Sequence, residues 1–225
     1  MLFLHVVNFE IAKRGDGMPS SALRKFETVM LKDVSRMLES HASLSGNDRG
    51  KRSLGHLTRG GVLLLCSAWE LYLEELMAES VAFICENSRD PDEFPKDIKK
   101  TIASYVPESS HELKPLAMAG DGWKEVFKEA ALIKINSVNT PKPGVIDPIF
   151  RNFLSVKELS QCWSCGKEAI KDFVSARGDI AHRGSDAGYV TMKKLRDDYV
   201  PTISKSVIET DNFISQHIKD SFAFG

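Results

Sequence analysis

The segment Phe173-Val174-Ser175-Ala176-Arg177-Gly178-Asp179-Ile180-Ala181-His182-Arg183-Gly184 sets an arginine five positions before a histidine, at the end of an apolar helical stretch. A guanidinium is a permanent cation whose planar fork of donors suits phosphate oxygens. An imidazole, with an unperturbed pKa of about 6.5, gives or takes a proton near neutral pH. A group that holds phosphate beside a group that moves a proton points to phosphodiester chemistry that needs no metal.

The spacing constrains how the pair can work. Five residues at about 100° each leave Arg177 and His182 about 140° apart around a regular helix. They do not share one face. Either the helix unwinds near Gly178 or Gly184, or a second copy of the chain completes the site.

The elements that must position the pair read as helices. From Ser20 to about Ser43 the residues Leu23, Phe26, Met30, Val34, Met37 and Leu38 recur at helical spacing, with Pro19-Ser20 as the start. Residues 46–52 break the pattern and hold the cations Arg49, Lys51 and Arg52. A second long helix is predicted over Ser53 to Asn87, rich in Leu, Ala and Glu, with Gly60-Gly61 as a place for a kink. Shorter helices are expected from Phe94-Pro95 to Val106 and from about Gly122 to Val138, with residues 107–121 and 139–144 as breaks. These middle helices, within about 90–150, read as an insert or a flank. Ser155-Val156-Lys157-Glu158 has the capping-box pattern and predicts a short helix to about Trp163. From Lys167 an apolar stripe of Ala169, Ile170, Phe173, Val174 and Ala181 puts Arg177 and His182 on a helix. The last helix starts near Thr191, and Pro201 is expected to kink or interrupt it. Sustained alternation over a strand's length is missing, so the expectation is an all-α up-and-down bundle. Residues 1–19 form an N-terminal extension and 20–220 one domain.

Composition bounds the function. With 42% hydrophobic and 27% charged residues and a formal charge of −1, the chain is expected to fold as an ordinary soluble protein, without membrane. Its total charge says nothing for nucleic acid, so an RNA backbone must be met by a local cluster of cations. The run Met1 to Val7 is too short to span a bilayer and lacks the flanks of a signal peptide. Four cysteines without a signal peptide fit reduced thiols in the cytoplasm.

Three features together resemble the HEPN superfamily, whose hallmark is an arginine followed by four to six residues and a histidine. They are the helical order, the wording Arg177-Gly178-Asp179-Ile180-Ala181-His182, and the helix Cys66-Ser67-Ala68-Trp69-Glu70-Leu71-Tyr72-Leu73-Glu74-Glu75-Leu76. Gly188-Tyr189-Val190-Thr191 is similar to the family's lead into its last helix. The resemblance covers most of 20–220 and lies with the branch whose members act as RNases in toxin–antitoxin and antiviral defence systems. One departure is Gly178, where the family often has a polar residue, with Asp179 one further on.

The resemblance implies a HEPN-type bundle with extra middle helices and a metal-independent endoribonuclease. RNA's own 2′-hydroxyl would attack the adjacent phosphate and leave a 2′,3′-cyclic phosphate. His182 would carry the proton and Arg177 would hold the phosphate. Family members form dimers that bring two motifs into one cleft, so a homodimer with a composite site is expected, and a cognate antitoxin or partner protein can accompany it. Asp179 could bond His182 or the neighbouring arginine, and Glu70 could orient Arg177 from across the bundle. Arg183 adds charge beside the histidine, and Arg49, Lys51, Arg52 and Arg59 offer a track for RNA backbone, with His56 among them. The alternative is a HEPN-like dimer that binds RNA, a nucleotide or a partner without cutting. No cofactor and no metal are expected. Cys162 and Cys165 have the spacing of a redox pair or half a zinc site, but no second pair accompanies them. Trp69, Trp123 and Trp163 sit in apolar helical patterns and read as core.

Overall fold

A computed structural model describes residues 20–45, 54–105, 114–183 and 189–222, and among these every regular element is helical. The order is α1 (Ser21–Lys25), a wide π-turn (Phe26–Met30), α2 (Leu31–Ser45), α3 (Gly55–Asn87), α4 (Lys96–Ser104), α5 (Lys114–Ala117), α6 (Gly122–Asn136), α7 (Pro143–Leu154), α8 (Lys167–Arg183), α9 (Met192–Lys194), a second π-turn (Leu195–Tyr199) and α10 (Val200–Ser221).

α3 is the axle of the bundle. Its buried residues include Val62, Leu65, Trp69, Tyr72, Leu76 and Ile84, spread around most of its circumference, and a helix apolar on so many sides is one surrounded by others. Paired contacts give each neighbour its direction. Phe26 meets Tyr72 at 5.8 Å between ring centroids, and Met37 packs at Gly60, so α1 and α2 run against α3. Tyr72 donates to the Val207 carbonyl at 3.0 Å and Leu195 packs at Gly61, so the last helix runs with α3. Phe173 stacks edge-on with Tyr199 at 5.2 Å and Tyr189 reaches Asp179, so α8 runs against the last helix and hence against α3. The Cys85 thiol lies 3.9 Å from the Lys124 carbonyl and Trp69 Nε1 donates to Pro141 at 3.4 Å, which turns α6 against α3 as well. The result is an all-α, up-and-down bundle.

Local chemistry accounts for the ends. Ser20 Oγ accepts from the Leu23 amide at 3.0 Å, and Glu79 reaches from α3 to take the amides of Ser21 at 2.9 Å and Ala22 at 3.2 Å. These are the amides a helix start leaves unpaired, and a carboxylate also suits the positive end of the helix. At the other end of the chain Thr191 Oγ1 caps Lys194 at 3.1 Å. Pro201 neither breaks nor ends the last helix, because the π-turn at Leu195–Tyr199 precedes it, and such a widened turn absorbs the hydrogen bond a proline cannot donate.

Tertiary packing shifts several of the expected boundaries. α3 passes through Gly60-Gly61 as helix, and these residues serve close approach: a Cβ on Gly61 would stand 2.5 Å from the Leu195 side chain. Pro95 caps α4 from just outside its first turn. The break over 139–144 is shorter than expected, since Pro143 opens α7. That helix is an addition to the expected order, and Ile146, Ile149, Phe150, Phe153 and Leu154 form its buried stripe. Ser155 is the end of α7 and not the start of a helix: it takes a left-handed conformation, φ 59°, and its amide closes onto the Arg151 carbonyl at 3.0 Å. The next element is a single 3₁₀ turn, Leu159–Cys162, held by buried Asp147, which accepts from the Ser160 amide at 2.9 Å and hydroxyl at 2.7 Å. The local capping signal loses to a tertiary anchor. The middle helices α6 and α7 send Trp123, Phe127, Phe150 and Phe153 into the same buried cluster as Trp69 and Tyr72. No helix among the described residues is long and apolar enough to cross a membrane.

Candidate active site

α8 is seated by Ile170, Phe173, Val174, Ala176 and Ile180, all buried, and stays helical from Lys167 through Gly178 to Arg183. The helix therefore does not unwind at Gly178; Gly184 lies outside the described residues. Arg177 shares the flank of this stripe and its side chain is only 29% exposed, while His182, on the next turn, is exposed. The two groups point to different sides of one straight helix, as the 3.6-residue repeat demands.

Arg177 faces Glu70 of α3. The guanidinium Nη2 stands 3.9 Å from Glu70 Oε1, and the Glu70 side chain is 18% exposed. This is an ion pair without a short hydrogen bond, so the arginine's donors are not consumed by it. Burial raises the Glu70 carboxyl above its ordinary range, Arg177 pulls it back, and neighbouring Glu74 adds to the rise. One turn below, the Cys66 thiol lies 3.9 Å from the same Oε1 and is pushed up to about 12 by burial and then by the Glu70 charge. A neutral thiol under the carboxylate gives it a weak donor. Cys66 is an addition to the expected site, and its four-residue offset from Glu70, which places both on one helix face, is the signal in the sequence. Glu70 and Glu74 also border a narrow cleft with Leu73, Ile135, Val138 and Pro141.

Asp179 does not reach His182. It accepts from the Tyr189 hydroxyl at 2.6 Å and lies 4.0 Å from Arg183 Nε. Burial and the bond to Asp179 push the Tyr189 phenol up to about 12, so it stays a donor. Tyr189 is a second addition to the expected site residues, signalled in the sequence by its place in the Gly188-Tyr189-Val190-Thr191 lead into the last helix. His182 is exposed and has no hydrogen bond to a described residue.

The expected backbone track is only partly in view. Arg59 lies on α3 eleven residues before Glu70, about 16 Å along the axis and within about 20° of the same face. Since α8 runs against α3, the His182 end of α8 points toward the Arg59 end. Arg183 is exposed beside His182. Arg49, Lys51 and Arg52 lie outside the described residues, and His56 is exposed in the first turn of α3.

The three tryptophans are core: Trp69 packs edge-on against Trp163 at 5.7 Å, Trp163 Nε1 donates to Thr210 at 2.8 Å, and Trp123 packs on Phe94 at 5.3 Å. Burial pushes the Cys162 thiol up to about 11, the opposite of what an attacking thiolate needs, and exposed Cys165 lies 3.4 Å from the Ser206 hydroxyl. Among the described residues no group of three or more His, Cys, Asp or Glu is placed to hold a metal ion.

Comparisons with curated proteins and with solved structures return no match. A family model described as RiboL-PSP-HEPN matches residues 31–216, from the start of α2 to the last turns of α10. That span contains α3 with Glu70 and α8 with Arg177 and His182, and with the all-helical bundle it places the chain in the RiboL-PSP-HEPN family of the HEPN superfamily.

Proposed function

We propose that this HEPN protein is a metal-independent endoribonuclease that cuts single-stranded RNA, and that its site is completed in a homodimer where two Arg177/His182 pairs face one cleft. One observation carries the reading: Arg177 is half-buried against Glu70 with no hydrogen bond to a described residue, while His182 stands exposed on the same unbroken helix. A single α8 holds the phosphate-binding group and the proton carrier on different sides, and a second α8 across the cleft supplies each with a counterpart.

In the proposed reaction the 2′-oxygen forms a bond to phosphorus and the bond from phosphorus to the 5′-oxygen breaks. One imidazole accepts the proton of the 2′-hydroxyl, and the other returns a proton to the leaving 5′-oxygen. Arg177 offsets charge growing on the non-bridging oxygens, and Glu70 keeps the guanidinium turned to the cleft. The products are a 2′,3′-cyclic phosphate and a 5′-hydroxyl. The family's RNase branch supports a role as a toxin or an antiviral defence effector in the cytoplasm, with an antitoxin or other partner holding it in check.

The test is incubation with end-labelled single-stranded RNA in excess EDTA, beside His182→Ala and Arg177→Ala, with the new termini mapped. Wild-type cleavage to cyclic-phosphate ends and a loss of at least about 100-fold in His182→Ala is the expected result. RNA bound but uncut by all three proteins replaces this reading with that of a binding module. Growth arrest on expression, relieved by either substitution, is the expected cellular counterpart.

A further inference from the structure

A nucleobase needs a flat, fixed, accessible π-surface, and a single strand bound beside a catalytic group needs one close to it. Tyr189 meets both conditions. The residue is 51% exposed, whereas Tyr72 and Tyr199 are buried. The ring is pinned at its far end by the hydroxyl bond to Asp179 at 2.6 Å, and its backbone is tied in by the neighbouring buried Val190. Asp179 sits on α8 three residues before His182 and four before Arg183, so each of these side chains neighbours that of Asp179 on the helix surface, about 5–6 Å away at Cβ.

One cation lies over the ring and another beside its anchor. Lys194 places its ammonium 5.9 Å from the Tyr189 centroid and 5.1 Å from that of Tyr199, and Arg183 lies 4.0 Å from the Asp179 carboxylate that holds the hydroxyl. An exposed aromatic flanked by lysine and arginine is the pattern by which proteins hold single strands, bases on the ring and phosphates on the cations. Fixing the ring beforehand lowers the entropy cost of stacking.

We propose that Tyr189 is a base-stacking platform, a subsite that receives one base of single-stranded RNA beside the phosphate held by Arg177 and His182, with Lys194 and Arg183 meeting the adjoining backbone. Asp179 is a positioning residue for this platform. The proposal rests on the ribonuclease reading for the phosphate that it flanks.

The experiment uses a short single-stranded RNA carrying 2-aminopurine at each position in turn, bound to the full chain in a His182→Ala background so that the RNA stays intact. Expected are fluorescence quenching at one position, loss of that quenching in Tyr189→Ala with binding about 5- to 100-fold weaker, and its retention in Tyr189→Phe and Tyr189→Trp. Unchanged affinity and quenching in Tyr189→Ala overturn the proposal. So does an equal loss in Tyr189→Phe, which would make the hydroxyl bond, and not the ring, the functional feature. Cleavage by the parent protein in EDTA is measured in parallel. Cleavage with no Tyr189 effect removes the platform and leaves the nuclease; ring-dependent quenching without cleavage removes the nuclease and leaves the platform; no RNA binding by any protein removes both.

Discussion

Replacing Glu70 with glutamine is expected to disarm Arg177 without unfolding the bundle. The charges stand 3.9 Å apart, which at an effective dielectric of about 20 is a gross attraction of about 4 kcal/mol. Burial of the carboxylate outweighs that attraction, since the Glu70 pKa is raised even with Arg177 beside it. The two terms oppose each other, so at pH 7 Glu70→Gln should change stability by less than about 1 kcal/mol, a melting shift within about 2–4 °C. The sign with pH comes from the same balance. A carboxyl raised on folding contributes stability that is full below its ordinary value of 4.5 and is lost as pH climbs through the raised value. Wild type should therefore gain on Glu70→Gln as pH falls from 7 to 4. Activity behaves differently: a guanidinium free to swing out of the cleft is expected to cost about 10- to 100-fold in kcat. The assays are thermal melts by circular dichroism across that pH range and RNA cleavage on the same preparations, repeated in an Arg177→Ala background, where Glu70→Gln should cost no further activity but raise the melting temperature at pH 7, since it removes a carboxylate left without its partner. A variant that cuts as well as wild type refutes the positioning role. A loss above about 2 kcal/mol at pH 7 refutes this balance and makes the pair a structural one.

Gly178 sits inside α8 with open space where a Cβ would stand, so Gly178→Ala is expected to stabilise the protein by about 1 kcal/mol, read as a rise in melting temperature. Asp147→Ala removes the acceptor of both the Ser160 amide and hydroxyl in a buried setting; a loss of about 2–4 kcal/mol is expected, measured as a lower urea midpoint at unchanged slope.

Where local periodicity and tertiary need agree, the helices are legible directly in the sequence. The stripe from Ile170 to Ile180 places α8, and Ser20 and Thr191 mark starts that their hydroxyls do cap. Sequence and structure part where a short signal is overruled by a distant partner. Proline and glycine at 143–144 read as a break, yet proline favours a first helical turn and the apolar stripe behind it wins burial. Ser155 to Glu158 spells a cap, yet Asp147 holds Ser160 and the chain ends α7 there.

The sequence by itself determined the residue types for the chemistry, the family to which they belong, and the 140° separation of Arg177 and His182, since helix periodicity depends on local geometry alone. Only the tertiary structure decided the rest. It decided that α8 stays unbroken at Gly178 and that Asp179 serves Tyr189 instead of His182. It also decided that α3 and α8 run in opposite directions, which brings Glu70 to Arg177 across 107 residues of chain. The physical reason is common to all three: each depends on which apolar faces find one another when the bundle closes, and burial is a property of the assembled core that no segment carries alone.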